Sequence, residues 1–182
     1  MRHLAGGIAE AYGSQVALKL YKGDITELQN TASIVNFLCK DDVNYSCIMK
    51  AAGYAKKEYD SIRLKPEIPY VAYGVVKTNA GALPYKVIFH IKVFAELPRF
   101  MSAIHRVLCL ADRKGMRSIA FQALDCSRYK SYVDGYLQIF YEFENRIQPC
   151  CLHMIDMVSS NEKDYGYHSE KMKIMGEQLN WS

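Results

Sequence analysis

The sequence predicts an α/β protein of three layers, with helices on both faces of a mixed, largely parallel central sheet. Two observations carry this. Strand-length apolar runs recur at Val16–Tyr21, Ser33–Leu38, Ser118–Leu124 and Cys150–Val158. Between most of them stand amphipathic stretches of helical length, and strands alternating with helices of ten or more residues favour parallel pairing through crossovers.

Taken in order, Val16–Tyr21 is apolar at every second residue, as a half-buried strand is. Gly23-Asp24 turns the chain, and Asp24 is placed to cap a short helical turn over Ile25–Gln29. Ser33–Leu38 is almost continuously apolar, as expected of a central strand. Ser46–Ile62 reads as one helix, with Ile48, Ala51, Ala52, Ala55 and Tyr59 on its inner face. Pro66 and Pro69 punctuate a loop, and Val71–Thr78 and Lys86–Val93 form strands joined by the turn Asn79–Pro84. Leu97–Lys114 is an amphipathic helix that ends well at Lys114-Gly115. Ser118–Leu124 is a buried strand, Tyr132–Ile147 a helix, Cys150–Val158 a strand and Glu162–Leu179 a last helix with a weaker apolar face. Residues 1–14 read as an N-terminal extension, a frayed terminus or short helix. Residues 15–182 read as one domain, for which the length suffices.

Composition limits the function. Half the residues are hydrophobic and 23% are charged, with a formal net charge of +4. That charge is too small to mark a nucleic-acid partner without clustering. A stacking platform for RNA is missing too, since Tyr70 and Tyr73 lie on opposite faces. No apolar run is long enough to span a membrane. The six cysteines, Cys39, Cys47, Cys109, Cys126, Cys150 and Cys151, have no zinc-like spacing, so no metal and no cofactor are expected. Met1-Arg2-His3 leads into no apolar leader, and the thiols are expected to be reduced in a nuclear or cytoplasmic protein. His90 on its strand reads as structural.

Five motifs in order resemble those of the macrodomain family, from about residue 16 to 170. Lys22-Gly23-Asp24-Ile25-Thr26 resembles the family's GDIT turn, and Ile34-Val35-Asn36 the start of its AIVNAAN strand. Ile48–Gly53 is similar to its HRAAG helix end. Gly74–His90 resembles its hairpin, and Ser118–Leu124 its SIAFPAL strand. The flavour is that of macrodomains found beside ADP-ribosyl transferase domains in vertebrate poly(ADP-ribose) polymerases. Gly6–Ala11 resembles the family's glycine-rich loop, but upstream of the first strand.

The resemblance implies an ADP-ribose site with Asp24 on the adenine amino group and Ile25 supplying a neighbouring backbone N–H. Asn36 matches the first of two asparagines, usually structural. The second, which contacts the distal ribose and assists hydrolysis, is here Cys39, a poor substitute for an amide that reads as a buried packing residue. The family's glycine-rich phosphate loop is replaced by Lys40–Tyr45, without glycine and with Asp41 and Asp42. A carboxylate 4 Å from a phosphate charge costs roughly 1 kcal/mol in water and about 4 at an effective dielectric of 20. The second phosphate loop, GTGIYG in the family, is Asp125-Cys126-Ser127-Arg128-Tyr129-Lys130 here. Tyr129 matches the aromatic on the distal ribose, while Arg128 and Lys130 are added cations. Tyr165 or Tyr167 would have to stack on the adenine.

The ligand-binding residues implied are therefore Asp24, Ile25, Asn36, Cys126, Ser127, Arg128 and Tyr129, with no catalytic residue assigned. The expected function is a divergent binding module for ADP-ribose or ADP-ribosylated protein, with recognition weakened or lost. The alternatives are a mono-ADP-ribosyl hydrolase, or a protein or nucleic-acid interaction module on the same fold.

Overall fold

The computed structural model describes residues 9–12, 16–39, 46–53, 55–65, 74–93, 96–146 and 151–179. The described strands are β1 (Ala9–Tyr12), β2 (Ala17–Lys22), β3 (Ser33–Leu38), β4 (Val75–Asn79), β5 (Val87–Lys92), β6 (Ser118–Gln122) and β7 (Met154–Ser159). The described helices are α1 (Cys47–Ala52), α2 (Ala55–Ile62), α3 (Leu97–Arg113), α4 (Lys130–Arg146) and α5 (Glu162–Leu179), and Ile25–Glu27 forms a 3-10 turn.

All six residues of β3 are buried, which requires a strand on each edge and cover on each face. β5 and β6 flank it, both parallel. The full order is β1-β2-β7-β6-β3-β5-β4. β2, β7, β6, β3 and β5 all run parallel, and β1 and β4 are antiparallel edges. One face packs Val35, Phe37, Phe89, Phe121 and Met157 against α3, α4 and Met172 of α5. The other packs Ile34, Leu38, Ile88 and Ala120 against the 3-10 turn, α1 and Tyr59 of α2. This is the three-layer arrangement expected. Among the described residues no helix is long and apolar enough to cross a membrane.

The chain departs from expectation in two places. The N-terminal segment is neither frayed nor helical over Ala9–Tyr12, which pairs with β2 in the register Ala9 to Leu20. β2 would otherwise be an edge strand, and pairing satisfies its outward backbone groups. The Gly6-Gly7 segment lies outside the described residues. The predicted helix Ser46–Ile62 is two helices, because Gly53 takes a left-handed φ of 71° and its N–H closes α1 on the Met49 carbonyl. The Ala52 carbonyl instead accepts the Ala82 N–H from the β4–β5 connection at 3.3 Å. Gly81 makes that approach possible: its φ is +59°, and a Cβ there would lie 1.8 Å from the Ala52 carbonyl oxygen. Other boundaries shift by a few residues, the largest being β7, which starts at Met154 and not at Cys150. Residues 71–73 of the predicted fourth strand lie outside the described residues.

The backbone donor at the end of β4 is taken by a side chain. Glu58 of α2 accepts the Asn79 N–H at 2.9 Å. An acceptor held on an edge strand in this way discourages further strand pairing.

Candidate functional site

The five parallel strands end at one edge of the sheet, where ligands of open α/β sheets bind. A cleft of about 330 Å³ opens there between the ends of β3 and β6, at the small end of the range for ligand pockets. Phe37 and Cys39 come from β3 and the residues just after it. Ser46 and Cys47 come from the start of α1, and Gln122, Ala123, Leu124 and Asp125 from the end of β6. Tyr129 closes the side nearest α4. Cys39 packs against the adjoining apolar layer but is only half-buried and lines the cleft, where a buried packing residue was expected. Ser46 is turned inward as the N-cap of α1, accepting the Met49 N–H at 3.1 Å.

The floor is fixed from beneath by buried polar groups. The Phe37 ring stacks on Tyr136 at 5.8 Å and 14°. The Leu124 N–H donates to the Tyr136 hydroxyl at 3.4 Å, and that hydroxyl in turn meets His168 Nε2. His168 Nδ1 lies 2.6 Å from the Asp164 carbonyl. A neutral ring protonated on Nδ1 satisfies every group in this chain. Burial keeps both partners neutral, lowering His168 and raising Tyr136. The chain links α5, through α4, to the rim of the cleft.

Asp24 stands on the same edge, past the end of β2. β7 lies between it and β6, so about 10 Å of sheet separates it from the β6 side of the cleft, and about 14 Å from the β3 side, at a strand spacing of about 4.8 Å. Its exposed carboxylate caps the 3-10 turn, with Oδ1 accepting the Thr26 N–H at 2.8 Å and the Thr26 hydroxyl at 2.7 Å. Ile25 is buried, and its carbonyl accepts the Tyr85 hydroxyl. Asn36 does not line the cleft. It is fully buried on the opposite face, where Nδ2 reaches His90 Nδ1 at 3.1 Å. His90 Nε2 lies 2.9 Å from the Thr78 hydroxyl, and burial lowers the imidazole to about 3. Neutral His90 thus ties β3, β5 and β4 together, which agrees with a structural role for Asn36 and His90.

The turn from Asp125 to Tyr129 uses its own backbone donors. The Cys126 N–H donates to Asp164 Oδ1 at 2.8 Å, and the Ser127 N–H to Asp125 Oδ1 at 2.8 Å. The Arg128 and Tyr129 N–H groups both donate to the Asp125 carbonyl, at 3.2 and 2.8 Å. Lys163 Nζ meets the Ser127 hydroxyl. The Arg128 guanidinium lies 5.4 Å from the Tyr129 ring centroid, and Lys130 begins α4, exposed. Burial alone would raise the Asp164 carboxyl. Hydrogen bonds from the Cys126 N–H and the Asn161 amide outweigh that and hold it below the usual carboxylate range. Burial, followed by the contact with Asp164, pushes the Cys126 thiol up. Asp125, Cys126 and Asp164 present ligand-type atoms within 4.8 Å of one another, but both carboxylates are already acceptors for the turn.

Asp164, Lys163, Tyr136 and His168 escaped the sequence reading. The spacing Asn161-x-x-Asp164 signals a helix start, and the structure shows it as one: Asn161 Oδ1 accepts the Asp164 N–H at 2.8 Å. Nothing in that spacing points to the β6–α4 turn. Of the two tyrosines considered for the adenine, Tyr165 is half-buried against the core. The Tyr167 hydroxyl donates to Asp134 of α4 at 2.7 Å. Asp41, Asp42 and the rest of Lys40–Tyr45 lie outside the described residues, as do Tyr70 and Tyr73.

No protein-family model and no curated protein sequence matches this chain. Solved structures do. A point mutant of the Oceanobacillus iheyensis macrodomain superposes with a TM-score of 0.78 at 22% identity, covering 95% of this chain and 100% of that one. Another mutant of that macrodomain, solved with ADP-ribose, gives 0.75 at 22% identity over 94% and 100%. The Trypanosoma brucei macrodomain, in complex with ADP, gives 0.61 at 21% identity over 85% and 68%. The chain has the macrodomain fold.

Proposed function

We propose that this macrodomain fold serves as a divergent binding module in which recognition of ADP-ribose is weakened or lost. The observation that carries the reading is the β6–α4 turn. Its amides from Cys126 to Tyr129 already donate to Asp125 and Asp164, so a pyrophosphate arriving there meets carboxylates where it needs donors. A hydrogen bond to a charged group contributes about 1.5–3 kcal/mol. Losing the two amides that Cys126 and Ser127 give to carboxylates removes about 3–6 kcal/mol, against about 8 kcal/mol for a micromolar ligand. Cys39 at the cleft, where the family has a ribose-contacting amide, supports binding without hydrolysis.

The adenine end is better preserved. Asp24 is exposed, and the resemblance gives it the adenine amino group. Kinship with the vertebrate polymerase macrodomains, and a nuclear or cytoplasmic location, belong to the same proposal and rest on the quoted motifs and the cysteine spacing. Calorimetric titration of the full chain with ADP-ribose tests the function. The expected result is no saturable binding below the millimolar range. Micromolar affinity would overturn the proposal.

A further inference from the structure

Two carboxylates sit against the β6–α4 turn, and they differ in origin. Asp125 belongs to the turn, so its contact with the Ser127 N–H is local. Asp164 comes from the first turn of α5, 38 residues away, and reaches across to the Cys126 N–H. It is 5% exposed, and its second oxygen accepts the Asn161 amide at 2.5 Å. Capping of α5 accounts for the Asn161 contacts. It does not account for the bond to Cys126, which joins the N-terminus of one helix to the loop before another.

A backbone N–H held by a buried, ionised carboxylate cannot also serve a phosphate oxygen, and the carboxylate repels any phosphate brought beside it. The neighbours of Asp164 have the opposite bias. Lys163 meets the Ser127 hydroxyl, and Arg128 lies exposed on the same turn. Without the Asp164 charge, the Cys126 N–H would lose its acceptor beside the Lys163 and Arg128 cations, a setting that suits an anion.

We infer that Asp164 is a specificity-determining residue: it acts as a built-in anion at the β6–α4 turn, whose Asp125 and Tyr129 border the cleft, and excludes phosphate groups from that turn. This rests on the reading that ADP-ribose recognition is weakened, and it names the residue that sets the weakening.

The test uses the full chain and two substitutions. Asp164→Asn keeps an acceptor for the Cys126 N–H and removes the charge. Asp164→Ser is the second choice should the first fail to melt cooperatively. Inorganic pyrophosphate, ADP-ribose and adenosine are titrated into each by calorimetry. The expected outcome is at least a tenfold gain in affinity for pyrophosphate and ADP-ribose, with adenosine unchanged. A folded variant that binds pyrophosphate no better than the parent would overturn the inference and leave the proposed function standing. A parent that binds ADP-ribose at micromolar concentration would instead overturn the proposed function. In that case the inference falls with it, because there is then no weakening for Asp164 to set. A gain that extends equally to adenosine would also count against it, because the effect would then not concern the phosphates.

Discussion

Replacing Gly81 with alanine is expected to be among the more damaging single-methyl additions to this chain. Gly81 has φ +59°, a backbone that costs a residue with a Cβ about 1–2 kcal/mol. The new methyl would sit 1.8 Å from the Ala52 carbonyl oxygen. It must move by more than an ångström in a packed region, and overpacking of that kind costs about 1–3 kcal/mol. The shift also strains the Ala82 N–H to Ala52 bond, for about 1 kcal/mol more. The sum is about 3–6 kcal/mol, or on the order of 10 °C in melting temperature for a chain of this size. Gly115 is the internal control: its φ is +71°, but nothing lies within 4 Å of its Cβ position, so Gly115→Ala should carry only the backbone cost of about 1–2 kcal/mol. Thermal unfolding of both variants by circular dichroism separates the contributions. Equal melting temperatures, within about 2 °C, would refute the close approach of the hairpin turn to α1. The contact matters beyond stability, because α1 carries Ser46 and Cys47 at its start into the cleft.

Two further outcomes follow from buried polar groups. Asp156 is buried on β7, with Oδ2 accepting the Thr31 hydroxyl at 2.9 Å and Oδ1 without a partner among the described residues. Burial raises its carboxyl above the ordinary 3.8, so its protonated form is the one the fold favours. The stability that goes with that proton is complete below about 4, the unfolded value, and is lost as pH rises through the higher folded value. Asp156→Asn should therefore gain stability relative to the parent at pH 7 compared with pH 4 in chemical denaturation, and an identical difference at both pH values would show that the carboxyl is not perturbed. Tyr136→Phe keeps the stack on Phe37 but leaves His168 Nε2 and the Leu124 N–H buried without their partner. At about 1–3 kcal/mol for each orphaned group, a loss of about 2–6 kcal/mol is expected, and an unchanged denaturation midpoint would count against the buried chain.

The fold was legible where the pattern is local. The run Ser33–Leu38, buried throughout, can be read as a central strand without any alignment, and Asp24 before Ile25-Thr26 can be read as a cap. The single helix over Ser46–Ile62 misled because its apolar face continues across Gly53, while the break depends on a contact with the Ala80–Lys86 connection far along the chain. Ala9–Tyr12 carries too little apolar alternation to announce a strand, and its pairing with β2 supplies what its composition does not. At the site, the missing glycines of Asp125–Lys130 were visible, and so was Tyr129. What replaces them was not: Asp164 reads as an ordinary first-turn acid of a helix, and its bond to Cys126 exists only once β6 and β7 are paired side by side. Asn36 shows the reverse limit, since its type and place suggest a ligand contact while the pleat turns it to the other face.

The strand order also bears on how the chain comes together during synthesis. β7 is the last strand made, yet it lies between β2 and β6. Until residues 154–159 have emerged, the early β1–β2 hairpin has no parallel partner through which to join β6, β3, β5 and β4. Before then the sheet is two portions that share no strand pairing and meet through the packing of the 3-10 turn, each with an open strand edge that invites pairing with other chains. Asp24 and the cleft are brought to one edge of one sheet only when β7 is inserted. A nascent chain stopped short of Met154 would carry Asp24 on one portion and the cleft on the other, with no continuous sheet edge beneath them.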